Sequence, residues 1–198
     1  MSLQIYKPNS KNTGCAISFQ ISQKGDKDPQ FYVNCINQHS WDDNKKTGSF
    51  AENRNDPSKT IAIKFNEFEL GEFINAFANK STYSTYHNSE SAKTQIKISV
   101  YDKTKGIGEF AVTYKAFGLS FTRNGSDTFK VPIEPGEAVR ISSYIERYYS
   151  VLDDFRAAKQ QSRSNSGGGA ASRESAKEAV VEKLATIQKA STLQEEEF

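Results

Sequence analysis

The sequence predicts an α+β protein made of two repeats of four antiparallel strands followed by a helix, with a flexible C-terminal tail. Three observations predict it. Residues 94–133 hold short runs that alternate apolar and polar side chains, and residues 135–155 switch to helical spacing. Residues 3–77 show the same order, strands and then a helix. Beyond residue 155 large apolar side chains become scarce. A period of two puts successive side chains on opposite faces of a sheet, whereas a period near 3.6 gathers them on one face of a helix.

The first repeat opens with Leu3, Ile5 and Tyr6, ended by Pro8. Cys15, Ile17, Phe19 and Ile21 then alternate with Ala16, Ser18 and Gln20. Gly25 and Pro29 break the run before Phe31, Val33 and Cys35, which alternate with Tyr32 and Asn34. Residues 37–59 are expected to form a long loop carrying the single tryptophan, Trp41, together with Lys45, Lys46, Phe50 and Arg54. Loops of that length without structure of their own are uncommon in compact domains and are often functional. Ile61, Ile63 and Phe65 complete the strand set, with Lys64 on the opposite face. Asn66 and Glu69 fit a capping box, and Leu70, Phe73, Ile74 and Phe77 make the helix's buried stripe. A polar stretch, 80–93, joins the halves.

In the second repeat Ile96, Ile98 and Val100 oppose Lys97, Ser99 and Tyr101. Phe110, Val112 and Tyr114 oppose Ala111, Thr113 and Lys115; Phe117, Leu119 and Phe121 oppose Gly118, Ser120 and Thr122. Phe129, Val131 and Ile133 oppose Thr128 and Lys130. Turn chemistry at Lys105-Gly106, Ala116–Gly118 and Asn124-Gly125 separates the runs. Pro135 suits a first helical turn, and Ala138, Ile141, Ile145, Tyr148, Leu152 and Phe155 supply the stripe. Residues 1–155 are thus one domain. Residues 156–172, with Gly167, Gly168 and Gly169, read as a flexible linker, and 173–198 as a short amphipathic helix and an acidic tip.

A chain of 198 residues, 36% apolar and 25% charged, has room for one ordinary domain plus an appendage. Its formal net charge of +2 does not announce a nucleic-acid binder, so such a function depends on where the lysines sit. Cys15 and Cys35 both fall on the apolar side of strands and read as buried free thiols. The first residues lack a signal peptide's apolar core, and no run reaches membrane-spanning length, so a soluble intracellular protein is expected. Catalysis is not expected. His39 and His87 have no partner spacing, no phosphate-cradling loop or nucleophile elbow is present, and no metal or cofactor is implied.

The polar faces say more. Opposite the core they present Ser18, Gln20, Tyr32, Asn34, Lys64, Lys97, Tyr101, Thr113, Lys115, Thr122 and Lys130. Ammonium groups meet phosphates, aromatic rings stack on bases, and hydroxyls hydrogen-bond without demanding one sequence. The same composition also suits an ordinary solvated sheet face.

Two strand-strand-strand-strand-helix units in a chain of this size resemble the Whirly family of single-stranded DNA-binding proteins. The stretch from Phe129 to Tyr149, FKVPIEPGEAVRISSYIERYY, is similar to that family's last strand running into its second helix. The family's KGKAAL segment falls on residues 12–17, where only Ala16 is identical; both lysines are missing, and Lys11 sits one place earlier. The resemblance implies single-stranded DNA as ligand and a homotetramer held by the C-terminal helices, with DNA running over the sheets and between protomers. Lys11, Trp41, Lys45 and Lys46 join Tyr32, Lys64, Lys97, Tyr101, Lys115 and Lys130 as candidate contacts.

The tip Glu195-Glu196-Glu197-Phe198 is similar to the C-terminal ends of bacterial and phage single-stranded DNA-binding proteins. Its carboxylates suit a basic partner site and its ring an apolar pocket. The expected function is a sequence-tolerant single-stranded DNA-binding protein of replication, recombination or repair, which recruits replication or recombination proteins through this tip. The setting would be a bacterial or phage-infected cytoplasm, or an organelle. Two alternatives are a transcription-regulating or RNA-binding module of the same fold and an assembly protein that binds no nucleic acid.

Overall fold

The computed structural model describes residues 2–89 and 92–164. The acidic tip, the 173–190 amphipathic stretch and the linker beyond Ser164 lie outside the described residues. Strands β1 (Ser2–Lys7), β2 (Cys15–Ser22) and β3 (Gln30–Asn37) come first. The small hairpin strands β4 (Ser40–Asp42) and β5 (Thr47–Ser49) follow, then a 3-10 turn at Ala51–Asn55 and β6 (Thr60–Phe65). Helix α1 (Glu67–Ala78) closes the first unit. The second is β7 (Tyr83–Asn88), β8 (Lys93–Lys105), β9 (Val112–Arg123), β10 (Asp127–Ile133) and α2 (Pro135–Ser164). The sheets are ordered β1-β2-β3-β6 and β10-β9-β8-β7, every pairing antiparallel. Two four-stranded meanders, each followed by a helix, are therefore present.

Alternation decides which face each strand buries. Ile17, Phe19, Phe31, Val33, Ile61, Ile63 and Phe65 of the first sheet share one core with Ile96, Ile98, Leu119, Phe121, Phe129 and Val131 of the second. The helices cross between repeats. Tyr144 and Tyr148 of α2 set their rings 5.9 and 5.4 Å from Phe31 on β3, edge-on, while Phe77 of α1 lies 5.0 Å from Phe117 on β9. The wide α2 stripe is thus buried within its own chain, with the Tyr149 hydroxyl donating to the Glu67 carbonyl at 2.7 Å. Cys15 and Cys35 are free and buried, and burial pushes the Cys35 thiol up.

The structure corrects the sequence reading at four places. The runs at 110–115 and 117–122 are one strand, β9, because Ala116 and Gly118 pair within the ladder instead of turning. The apolar phase follows Phe117, Leu119 and Phe121, so Phe110 lies outside the strand, exposed, in a 3-10 turn. The polar stretch 80–93 contains β7, whose Tyr83, Thr85 and His87 face inward in alternation. The 37–59 segment is not structureless: Asp42 Oδ1 accepts from the Asn44 and Lys45 amides at 2.9 and 3.0 Å, closing the β4–β5 hairpin. Finally, α2 runs on from 155 to Ser164, through the start of the expected linker.

Two contacts anchor the helices. Asn66 accepts from the Glu69 amide at 2.9 Å while the Glu69 carboxylate takes the Asn66 amide at 3.0 Å, the expected capping box. Arg156 of α2 reaches Glu67 at 2.7 Å and Asp28 at 3.0 Å, joining α2 to the first repeat. Asn66→Ala is expected to lose about 1 kcal/mol of stability in urea unfolding. The Arg156 guanidinium beside Asp28 holds that carboxyl below the usual carboxylate range, with Lys159 adding. Folding lowers this group, so its stabilising contribution is present above the unfolded value of about 3.9 and is lost as pH falls. Arg156→Met should therefore depress the melting temperature near neutral pH and depress it much less below about pH 3, a difference that thermal scans across pH will measure.

Candidate nucleic-acid interface

Because each sheet turns its inner face to the shared core, its outer face is the one available to a ligand. On the first sheet the register lays out three rows across the strands. Tyr6, Ala16, Ile36 and Thr60 form one; Gln4, Ser18, Asn34 and Ala62 the next; Gln20, Tyr32 and Lys64 the third. Small side chains at Ala16, Ser18, Asn34 and Ala62 make this face shallow, and a groove of about 1110 Å³ lies over it. One wall is Tyr6 with Phe50, ring centroids 6.0 Å apart, continued by Arg54 and Pro57. The other is Lys64 and the β7 end, with Tyr86, His87 and Asn88.

Local chemistry holds these walls. Gln38 is buried, and its side chain accepts from the Asn9 amide at 2.8 Å and donates to the Asn9 and Ser40 carbonyls, each at 2.9 Å. It thereby fastens the β1–β2 loop to the start of β4. Asn53, also buried, donates to the Asn37 carbonyl at 2.9 Å and seats the 3-10 turn that carries Arg54. Arg123 donates to the Pro57 carbonyl at 2.7 Å and pairs with Asp127 at 3.0 Å, so it braces the wall with its charge offset. Glu69 Oε1 and His87 Nε2 lie in hydrogen-bond contact at 2.6 Å. Tyr6 and Tyr86 are 57% and 53% exposed, leaving ring faces open to a ligand. Among the described residues Lys64 and Arg54 make no ion pair.

The second sheet offers a different outer face. Ser84, Lys97, Ser120 and Lys130 make one row across it. The Tyr101 ring leans toward Gly118 in the same face, and a Cβ at Gly118 would lie 4.0 Å from Tyr101 Cε1. Lys97 and Lys130 make no ion pair among the described residues. Tyr86 belongs to this face too, taking a hydrogen bond from Gln95 at 2.8 Å, so it stands where groove and second face meet.

The predicted contacts are consequently divided. Lys64 lines the groove and Tyr32 lies in the same sheet face; Lys97, Tyr101 and Lys130 share the second face. Lys115 does not join them. Set by the phase of Phe117 and Leu119, it lies on the opposite side of the ladder and pairs with Asp102 at 2.9 Å. Trp41 sits half-buried on β4, its indole donating to Asp43 at 3.1 Å, and Lys45 and Lys46 occupy the adjoining turn. Lys11 lies in the β1–β2 turn. None of these four lines the groove. Sequence reasoning did not assign Tyr6, Phe50, Arg54 or Tyr86 to a site. The alternation of Gln4 and Tyr6 with Leu3 and Ile5 was the available signal for the first.

No protein-family model and no curated protein matches the chain. Among solved structures it is similar to WHY1 from Arabidopsis thaliana, with a TM-score of 0.51 at 10% identity over 85% of this chain and 94% of that one. The fold is of the Whirly type. WHY3 from Arabidopsis thaliana aligns at a TM-score of 0.49 and 10% identity, covering 85% of this chain and 97% of that one. The plant transcriptional regulator PBF-2 aligns at 0.49 and 11%, covering 81% and 86% respectively. Among the described residues of this Whirly-type chain, no three histidine, cysteine or acidic side chains cluster to hold a metal, and no helix is long and apolar enough to cross a membrane.

Proposed function

We propose that the protein binds single-stranded DNA without strict sequence preference, coating exposed strands in replication, recombination or repair, and that it binds its ligand rather than transforming it. The observation that carries this reading is the groove over the first sheet, which combines a shallow floor, exposed rings at Tyr6 and Tyr86 with half-buried Phe50 beside Tyr6, and cations at Lys64 and Arg54. Rings accept any base, at about 1–3 kcal/mol per stacked base, and two cations fix phosphates. The Whirly-type fold supports the same reading. Recruitment of replication or recombination proteins through Glu195–Phe198, and assembly as a homotetramer, complete the proposal; both rest on the sequence resemblance.

Fluorescence anisotropy with labelled oligothymidine across a salt series tests it. Lys64→Ala combined with Arg54→Ala should weaken binding and shrink the log–log salt slope by about 1.4, since each phosphate contact on a single strand contributes about 0.7. Lys115→Ala, whose charge Asp102 already offsets, should change neither. Equal affinity and slope for the double variant and the parent would place the ligand elsewhere. Deleting Gln194–Phe198 should leave strand affinity intact or raise it; a marked loss of affinity would remove the tip's proposed role.

A further inference from the structure

The second sheet ends in a feature that the core does not require. β7 pairs with β8 only as far as Ile98, and β10 pairs with β9 only from Phe117. Beyond those points β8 and β9 pair solely with each other, out to Lys105 opposite Val112. Glu134 ties the base of this ribbon, accepting from Lys103 and, at 2.8 Å, from the Tyr114 hydroxyl. The two bonds hold the Glu134 carboxyl below its usual range.

The tip has a defined shape. Gly106 and Gly108 adopt φ of 99° and 60°, and a Cβ on Gly106 would meet the Phe110 carbonyl oxygen at 2.3 Å. The Phe110 amide donates to the Ile107 carbonyl at 3.3 Å and the Ala111 amide to that of Gly108 at 3.0 Å. This turn leaves Ile107 89%, Phe110 87% and Val112 62% exposed. Large apolar side chains exposed together on the tip turn and at the first residue of β9 mark a contact surface.

We propose that Ile107 and Phe110 form a base-stacking site for unpaired nucleic acid, continuing the outer face of the second sheet to the end of the ribbon. The inference rests on the single-strand reading above and adds residues to it. Continuity of face argues for this ligand. Lys97, Ser99, Tyr101, Lys103 and Lys105 alternate along one side of β8, opposite Ser120, Gly118, Ala116, Tyr114 and Val112 of β9. The file therefore leads from Lys97 and Lys130, past the Tyr101 ring, to the tip.

Charge argues the same way. Lys97, Lys105 and Lys130, which flank this path, make no ion pair among the described residues, whereas Lys103 and Lys115 are neutralised by Glu134 and Asp102. Lys103 shares this side with its charge offset by Glu134, and Lys115 lies on the other; Lys97, Lys105 and Lys130 are the cations a polyanion would meet here. Apolar side chains that enter a base stack, flanked by cations on phosphates, are an established physical means of gripping nucleic acid. Were the tip built for a second copy of this chain, flanking cations would add repulsion across the junction.

The test uses the full chain with Ile107→Ser and Phe110→Ser together, and Phe110→Trp as the conservative change. Anisotropy with oligothymidine, fluorescence of oligomers carrying 2-aminopurine, and sedimentation mass are read in parallel. The expected result is a fall of about fivefold to tenfold in affinity and loss of the stacking-dependent fluorescence change. The salt slope and sedimentation mass should be unchanged, and Phe110→Trp should keep both affinity and signal. Undiminished affinity in the double serine variant, against a parent that binds, would overturn the tip site and leave the groove standing. A loss of affinity accompanied by a drop in sedimentation mass would overturn it also, and would make the tip a contact between copies. A parent that fails to bind oligothymidine at all would overturn the single-strand reading together with the tip site.

Discussion

The fold depends on rings exchanged between the repeats. Phe31 of the first sheet is packed edge-on by Tyr144 and Tyr148 from the second repeat's helix, and Phe117 of the second sheet is met by Phe77 from the first repeat's helix. Such aromatic pairs contribute about 0.5–1.5 kcal/mol each beyond the area they bury. Each repeat's helix thus covers an aromatic side chain of the other's sheet, which joins the two halves into one core. The exchange commits both inner sheet faces to packing. Everything available to a ligand must then sit on the outer faces, at strand ends or in the ribbon.

That constraint explains what the sequence could reveal. Period-two alternation reports the inner face of a packed sheet, so β1, β2, β3, β6 and β10 were legible, and so was the Asn66–Glu69 cap, whose signal is local. β9 was misread because its phase carries information about two environments. Up to Tyr114 the strand stands in a two-stranded ribbon with no core beneath it, and from Phe117 it lies on the core. The apolar residues change parity at that boundary, which mimics a turn. β7 was missed for the opposite reason. Its inward Tyr83, Thr85 and His87 are amphipathic, so burial against Phe73 and Phe65 leaves no apolar signature in the chain.

The candidate site was legible as a composition and illegible as a place. Lysine and tyrosine on alternating positions pointed correctly to outer faces for Tyr32, Lys64, Lys97 and Lys130. The groove itself is a product of small residues at Ala16, Ser18, Asn34 and Ala62, brought into adjoining rows by registers that no local pattern encodes. Its aromatic wall joins Tyr6 to Phe50 across a long sequence separation. Buried Gln38 and Asn53 hold the loops that make this possible, and polar residues read as loop composition until their partners are known.

A net charge of +2 conceals how unevenly the cations are paired. Lys7, Lys103, Lys115, Arg123, Arg156 and Lys159 are each engaged by a carboxylate that ties two elements together. Arg54, Lys64, Lys97, Lys105 and Lys130 have no such partner among the described residues, and Lys64, Lys97 and Lys130 stand on outer faces. The fold thus separates structural cations from available ones. Were a single strand to lie on these outer faces, the unpaired cations there would release few counterions, and a larger share of the affinity would come from rings. Stacking does not distinguish strongly among bases, which is the physical ground for the sequence tolerance proposed above.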